Sequence, residues 1–373
     1  MKALFLIFHG FEEFNGISKK IRYQISALKE CNLDVRTCYL VDDGNKKYRM
    51  VDNIILKDYG FGWKAKILKR VEYFSIINYV IKNDIKFIYI RYVHNSNPFT
   101  IYLLSKLKKT GAKIVLEIPT YPYDHEYKGL PFCYQRILFI DKIFRKKLMS
   151  KVDKIITFSD HKTIWGRPTI NISNGIDFSQ VKLKQNSDKS YNTIIMIGVA
   201  TMHPWHGFDR IIEGMHIYYK KKTNIKVYFH IVGHGVSEAL DVYKEKTRKY
   251  KLEKYVIFHG ALYGKDLDDI FEISDVGIGS LARHRSNINK IKTLKNREYA
   301  ARGIPFIYSE IDEDFEHQPY ILKCSPDDTP IDIEKIISFY HNLNLSPLEI
   351  RNSIINNLSW KKQMNIVLNE TLK

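Results

Sequence analysis

Short apolar runs alternate along this chain with longer stretches in which apolar residues recur every three or four positions. The first pattern suits strands buried on both faces and the second suits amphipathic helices, so their alternation predicts a parallel α/β architecture. In the first half the runs are ALFLIF, DVRTCYL, FIYIRY, KIVLEIP and KIITFS, with helices between them, among them Ser18–Glu30 and Thr100–Lys109. After ISNGIDF comes SQVKLKQNSDKSYN, which has no apolar period and many turn formers and reads as a linker. A second series follows: TIIMIGVA, VYFHIVG, YVIFHGAL, DVGIGSL and IPFIYS. The same architecture is thus predicted twice, without a detectable sequence repeat, and 373 residues suit two domains of ordinary size. The expected division is 1–178, 190–350 and a closing helix over 351–373 that packs back on the first domain.

Composition narrows the class. A hydrophobic fraction of 45% and an aromatic fraction of 13% are those of a packed globular protein. No apolar run reaches the ~18–20 residues that span a bilayer. The opening MKALFLIFHGFEEF is short and lacks a small-residue cleavage site, so it reads as a buried first strand rather than a signal peptide. Cys31, Cys38, Cys133 and Cys324 show no CxxC spacing, and reduced thiols of a cytoplasmic protein are expected. With no HExxH and no Cys/His cluster, no metal site is expected.

The net charge of +18 is uneven, because residues 1–182 carry 32 Lys+Arg against 17 Asp+Glu while the rest carry 27 against 24. A polyanionic partner for the first half follows, either nucleic acid or an anionic membrane face, against a background in which surplus lysine has no purpose. In YQRILFIDKIFRKKLMSKV, Ile137, Ile140, Phe144 and Leu148 keep helical spacing amid six basic residues. Such a helix either rests on headgroups or packs a core with a solvated basic face.

Ligands of parallel sheets bind beyond the carboxyl ends of the strands, and several unusual loops fall there. Asn15-Gly16 follows the first strand and precedes a helix, whose start offers unpaired N–H groups to an anion. HIVGHG puts Gly233 and Gly235 directly after a buried strand, and ATMHPWHG crowds His203, Trp205 and His206 into one loop. KIKTLKNREYAARGIPFIY places Lys290, Lys292, Lys295 and Arg297 at the start of a helix that ends at Gly303. Cations are disfavoured at a helix N-terminus unless something anionic sits among them. Glu298 lies three residues after Lys295 on the same helical side. A lysine for phosphate beside a carboxylate for hydroxyls suits a nucleotide diphosphate.

SNGIDF, WHGFDRIIEG, HIVGHG, FHGAL and LKNREYAARGIPFI, in that order, resemble GT-B-fold glycosyltransferases, specifically family 4 (group 1). In the first half LEIPTYPYDHE resembles bacterial capsular and exopolysaccharide members. The resemblance implies two Rossmann-like domains whose parallel sheets face a central cleft, and retaining transfer of a sugar from a nucleotide-sugar donor. It implies a glycan or lipid-linked acceptor on the first domain, no metal or other cofactor, no nucleic acid, and a peripheral place on an anionic membrane surface. Glu298 matches the second glutamate of the E-x7-E motif, and Lys295 the lysine three positions before it that meets the diphosphate. Gly16, Gly233 and Gly235 match the glycine turns near the donor, with Leu262 beside the base. His206 and Lys290 stand where the family has a phosphate-loop lysine and the first glutamate, and Glu117 where it has a first-domain histidine near the reacting sugar. Lys290 and Arg297 join the donor side, Lys295, Glu298 and Glu117 the catalytic set, and Asn15, Tyr123 and Glu126 the acceptor side.

Three alternatives stay open at this level. Asp266-Leu-Asp268 and Asp312-Glu-Asp314 would be D-x-D metal motifs, though a helix start and an acidic turn explain them. A basic nucleic-acid binder fits the charge but lacks a recognisable motif. Epimerases and phosphorylases share the architecture.

Overall fold

A computed structural model describes residues 1–11, 16–44, 46–127, 130–185, 190–235 and 238–372, with the backbone alone at 125 and 126. The chain divides into two compact units, one of Met1–Ser173 with Trp360–Lys373 and one of Asn174–Ser359.

The first unit runs β1 (Lys2–Ile7), α1 (Gly16–Glu30), β2 (Asp34–Asp42), β3 (Lys46–Val51), β4 (Ile54–Phe61), α2 (Gly62–Val71), α3 (Phe74–Lys82), β5 (Phe87–Arg91), α4 (Pro98–Lys109), β6 (Lys113–Ile118), α5 (Phe132–Met149), β7 (Lys154–Thr157), β8 (Thr163–Ile164) and β9 (Arg167–Asn171). Among the described residues these strands form one sheet in the order β4-β3-β2-β1-β5-β6-β7-β9-β8, parallel from β2 to β9. Strand periodicity feeds two cores. Leu4 and Leu6 of β1 point to a layer with Leu103, Leu104 and Ile76, whereas Ala3, Phe5 and Ile7 point to a layer with Ile21, Leu28 and Trp360. The closing helix α12 (Trp360–Leu372) belongs to this second layer and packs on α1.

The second unit runs β10 (Thr193–Val199), α6 (Phe208–Tyr219), β11 (Lys226–Val232), α7 (Ala239–Lys249), β12 (Val256–Gly260), α8 (Gly264–Ile273), β13 (Val276–Ile278), α9 (Leu294–Arg302), β14 (Phe306–Tyr308), β15 (Ile321–Lys323), α10 (Ile333–Asn342) and α11 (Pro347–Ile355). Its sheet is parallel throughout the described strands, in the order β12-β11-β10-β13-β14-β15. Strand order reverses between β10 and β13 here, and between β1 and β5 in the first unit. Such reversals open a crevice at the strands' carboxyl ends, because the two flanking connections leave toward opposite faces.

The expected strands and helices are present, and α9 ends at Gly303 with φ +76°, whose N–H donates to Ala300 and Tyr299. The antiparallel hairpin β3–β4 and strands β8, β9 and β15 were not expected. In β3 the buried alternation falls on Lys47, Arg49 and Val51, so charge masks the strand period. The terminal nitrogens of Arg49 donate to the carbonyls of Ile7 and Lys69, and Lys47 pairs with Asp42. Helix α5 also differs from expectation. Its core side is Leu138, Asp141, Leu148 and Met149, with Phe144 partly buried, while Ile137 and Ile140 are exposed together with Phe132, Phe139 and Ile143. No helix among the described residues is long and apolar enough to cross a membrane.

Candidate functional site

The reversal in the second unit is walled by the loops that follow β10 and β13. They are zipped together: the Leu281 N–H donates to the His206 carbonyl at 3.0 Å and the Ala282 N–H to the Trp205 carbonyl at 3.2 Å. Gly207 has φ +66°, and a Cβ there would lie 2.9 Å from that of Ala282, so this close approach requires glycine. Arg285 pins the wall with a two-pronged bond to Asp209, at 2.8 and 3.0 Å, and a further pair with Asp328. On the other side Gly233, at φ +132°, lets β11 run against the first loop; a Cβ would stand 1.8 Å from the Ala200 carbonyl oxygen. The Met202–Gly235 bridge continues that contact.

Lys295 and His206 meet inside this wall. Lys295 lies in the first turn of α9, and its Nζ is 3.0 Å from His206 Nδ1. His206 Nε2 lies 3.0 Å from the Thr201 carbonyl, which can only accept, so the ring carries its proton on Nε2 and takes a hydrogen from Lys295 on Nδ1. Burial, with Lys295 beside it, holds the imidazole well below its ordinary pKa and keeps it neutral. Burial also pushes the Lys295 ammonium down to about 7, with Arg283 adding to the effect and Glu310 opposing it. Among the described residues no carboxylate lies within ion-pair distance of this lysine. His203 stacks on Trp205 at 4.1 Å, and Arg283 lies over the same indole.

The other basic residues of the stretch are engaged differently. Arg297 is fully buried and donates to both oxygens of Asp312, to Asp314, and to the carbonyls of Thr293 and Asn174. This corrects the donor-side expectation, because a guanidinium so occupied has no face left for a diphosphate; it fixes the acidic turn beneath α9. Both acids of Asp312-Glu-Asp314 are consumed in the same clamp, and Asp268 pairs with Arg302. Lys290 is exposed and pairs with Glu313, and its backbone bridges Ile311. Glu298, one turn after Lys295, is partly exposed; Arg302 binds its Oε1 twice, at 3.2 and 3.0 Å. Leu262, two residues beyond β12, is half-buried. No group of three metal-ligating side chains occurs among the described residues.

In the first unit, a cavity of about 660 Å³ lies at the strand reversal, lined by Phe8, His9, Gly10, Ser18 and Arg91 among others. A neighbouring one of about 410 Å³ is lined by Lys69, Arg70, His94, Asn97, Ile137 and Ile140. Glu117 lies beneath, wholly buried: Lys20 and Arg91 pair with its Oε1, and Gln24 and Tyr89 donate to Oε2. Burial would raise its pKa, but Lys20 and Arg91 overcome this and hold it near 2. Its carboxylate is fully occupied, which corrects the expectation that it touches a reacting sugar; it aims Arg91 at the cavity. Tyr123 is likewise buried, bonded to Asp141 and stacked at 3.7 Å under His94. His94 has φ +53° and reaches Tyr127 at 2.6 Å, and burial pushes its pKa down to about 4. Gly16 starts α1, and a Cβ there would meet nothing within 4 Å, so packing does not require its glycine. Asn15 lies outside the described residues, as does the side chain of Glu126.

Sequence reasoning missed Glu310 and Arg283. The available signal was an acid directly after the buried FIYS run, at the end of a strand where a carboxylate has no solvent to face.

Residues 179–309 match the family model described as glycosyl transferases group 1. No curated protein matches the chain. Among solved structures, a sucrose-phosphate synthase from Thermosynechococcus elongatus has a TM-score of 0.68 at 13% identity, covering 100% of this chain and 99% of its own. Anabaena HepE in complex with UDP-glucose gives 0.62 at 14%, with 100% of both chains covered. The catalytic domain of starch synthase IV from Arabidopsis thaliana, bound to ADP and acarbose, gives 0.62 at 12%, covering 100% of this chain and 98% of its own. The fold is that of the GT-B glycosyltransferases, and with the match over 179–309, the stretch holding His206, Lys295 and Glu298, it supports a group 1 glycosyltransferase.

Proposed function

We propose that this chain is a family 4 enzyme that transfers a hexose, with retention, from a nucleotide-sugar donor to a lipid-linked glycan in bacterial surface polysaccharide assembly. The observation that carries this reading is Lys295: a partly buried cation with no carboxylate within ion-pair distance among the described residues, in the first turn of a helix, at a strand reversal inside the segment that matches group 1. Buried unpaired charge is costly unless a ligand supplies the counter-charge. Helix N–H groups add to the attraction for a diphosphate. The solved relatives bind nucleotides in their own right, UDP-glucose in HepE and ADP in starch synthase IV.

In this reading the bond from the anomeric carbon to the diphosphate oxygen breaks as Lys295 and the α9 N–H groups take up the growing negative charge. The acceptor hydroxyl attacks from the face the diphosphate leaves, which preserves configuration, and its proton passes to the departing phosphate oxygen. No dedicated base, metal or other cofactor is drawn on. His206 holds the ammonium in place by accepting its hydrogen bond. The Oε2 of Glu298, which Arg302 leaves open, accepts hydroxyls of the ribose. Gly233 and Gly235 keep backbone close to the donor, and Leu262 lies beside its base. The first unit's cavity, with Arg91 and the start of α1, receives the acceptor. The exposed apolar residues of α5, among Lys142, Lys146 and Lys147, rest on an anionic membrane that presents it.

The test is a thermal-shift and turnover panel of UDP-, GDP-, ADP- and dTDP-hexoses with the full chain. Stabilisation by at least one nucleotide, abolished in Lys295→Ala, is expected. No response to any nucleotide by a folded wild-type chain would overturn the reading.

A further inference from the structure

The residue immediately after Ser309 is the most anomalous side chain in the second unit. Glu310 is 1% exposed, and apart from its own backbone N–H neither carboxyl oxygen has a hydrogen-bond partner among the described residues. Buried carboxylates are nearly always bonded or paired, since a buried acceptor left empty loses what water gave it. The backbone explains why it cannot turn away. The Ser309 N–H donates to the Ser280 carbonyl at 2.9 Å, and the Ile311 N–H to the Asn289 carbonyl at 2.7 Å. The Lys323 ammonium binds the carbonyl of Glu310 itself. Residues 309–311 are thereby laced to the loop after β13, and the side chain is held among the groups of the switch point.

Its electrostatic surroundings identify that place. Arg283 and Lys295 are the cations its charge feels, and burial nevertheless pushes its pKa up to about 7. Neither cation is within bonding distance of it among the described residues. Three further acceptors without partners lie around the start of α9: Asn174 Oδ1, Thr293 Oγ1 and Asn296 Oδ1. A crevice with one uncompensated lysine and several empty acceptors is built for a ligand that is anionic at one end and rich in O–H donors at the other. A nucleotide-sugar has that form, with the hydroxyls of its transferred ring one bond beyond the diphosphate.

We infer that Glu310 is a donor-specificity residue whose carboxylate accepts hydrogen bonds from hydroxyls of the sugar being transferred. The inference rests on the donor-site reading above and goes further by assigning the sugar-recognising group. Glu310 touches the sugar and leaves the nucleoside diphosphate alone. Removing it lowers affinity for the conjugate much more than for the bare nucleotide. A role merely as counter-charge to Lys295 would do the opposite, altering diphosphate binding and leaving the contribution of the sugar unchanged.

Titration calorimetry on the full chain separates these. Wild type, Glu310→Gln and Glu310→Asp are titrated with whichever of UDP, GDP, ADP and dTDP binds wild type best. They are then titrated with the best-bound of its glucose, galactose, mannose and N-acetylglucosamine conjugates. The isosteric Gln is expected to lower affinity for the conjugate at least tenfold more than affinity for the nucleotide. Glu310→Asp, which keeps the charge and shortens its reach, is expected to fall between. An unchanged ratio of conjugate to nucleotide affinity in Glu310→Gln would overturn the inference while leaving the donor site standing. So would an equal loss of both affinities. Failure of wild type to bind any of the four nucleotides would remove the donor-site reading and this inference with it.

Discussion

Replacing Lys295 with methionine keeps side-chain length and most of its volume while removing one charge, and stability and activity should then move in opposite directions. An ammonium ~4 Å from a phosphate oxygen at an effective dielectric of ~20 is worth ~4 kcal/mol. The share realised only as charge builds on the leaving group resembles the loss of one oxyanion donor, ~3–4 kcal/mol or 10²–10³ in rate. The kcat/KM for the donor should therefore fall at least a hundredfold. The fold, by contrast, holds this cation against its preference: burial brings its pKa from 10.5 to about 7. That depression, in which the opposing charge of Glu310 is already counted, corresponds to a penalty of several kcal/mol (~5). Methionine escapes it, so the melting temperature should hold or rise by a few degrees.

The pH dependence follows with a definite sign. Between about 7 and 10.5 the unfolded chain binds the Lys295 proton and the folded chain does not, so this group makes stability rise with pH across that window. Glu310, raised from 4.5 to about 7, binds its proton more tightly when folded. Its contribution is full below 4.5 and is lost as pH climbs through 7. The two together predict a stability minimum near neutrality, which Lys295→Met removes on the alkaline side. Donor capture needs the charged lysine, so wild-type kcat/KM should decline above pH 7 and the variant should lose that limb. Initial rates at low donor concentration across pH, with calorimetric melting of both proteins, provide the measurement. A variant with rates within threefold of wild type, or one whose activity loss is matched by unfolding, would refute the reasoning.

Glu298→Gln should raise the donor KM ten- to a hundredfold with little change in melting, because the buried Arg302 keeps its pair with Asp268 and glutamine still offers it an Oε1 acceptor; an unchanged KM would count against the ribose role. Gly233→Ala forces a Cβ to 1.8 Å from a carbonyl oxygen at φ +132° and should cost at least ~2 kcal/mol by urea unfolding. The contrasting Gly16→Ala meets nothing within 4 Å and should leave stability within ~0.5 kcal/mol, so any activity it loses reports on a ligand. Phe139→Ser combined with Ile143→Ser removes two side chains that are 66% and 56% exposed. Folding should be intact while flotation with phosphatidylglycerol vesicles at low salt disappears, and equal flotation of wild type and variant would exclude the α5 contact.

Much of the architecture was legible because central strands of parallel sheets are buried on both faces and write uninterrupted apolar runs, as FIYIR does in β5. Edge elements write no such signal. In β3 the buried face carries Lys47 and Arg49, each bonded to partners that only the tertiary fold supplies. The loop positions were legible for the same reason as the strands they follow. What each charged side chain does there was not. Lys290, Lys295 and Arg297 look equivalent as a run of cations, and nothing local distinguishes them.

The distinction is made by where the acids of the next turn arrive. Asp312 and Asp314 come up beneath Arg297, and Glu313, between them, faces out to Lys290. Two of these three cations are thus neutralised from within the chain. Lys295 points the other way, toward a histidine kept neutral, and its nearest acid by charge is a Glu310 that does not reach it. Of these three, the positive charge not neutralised by a neighbouring acid sits at Lys295, inside the wall, rather than along an exposed basic face. A surface rich in lysine draws any polyanion, whereas one desolvated ammonium beside empty acceptors selects a ligand whose negative charge is compact and whose remainder donates hydrogen bonds.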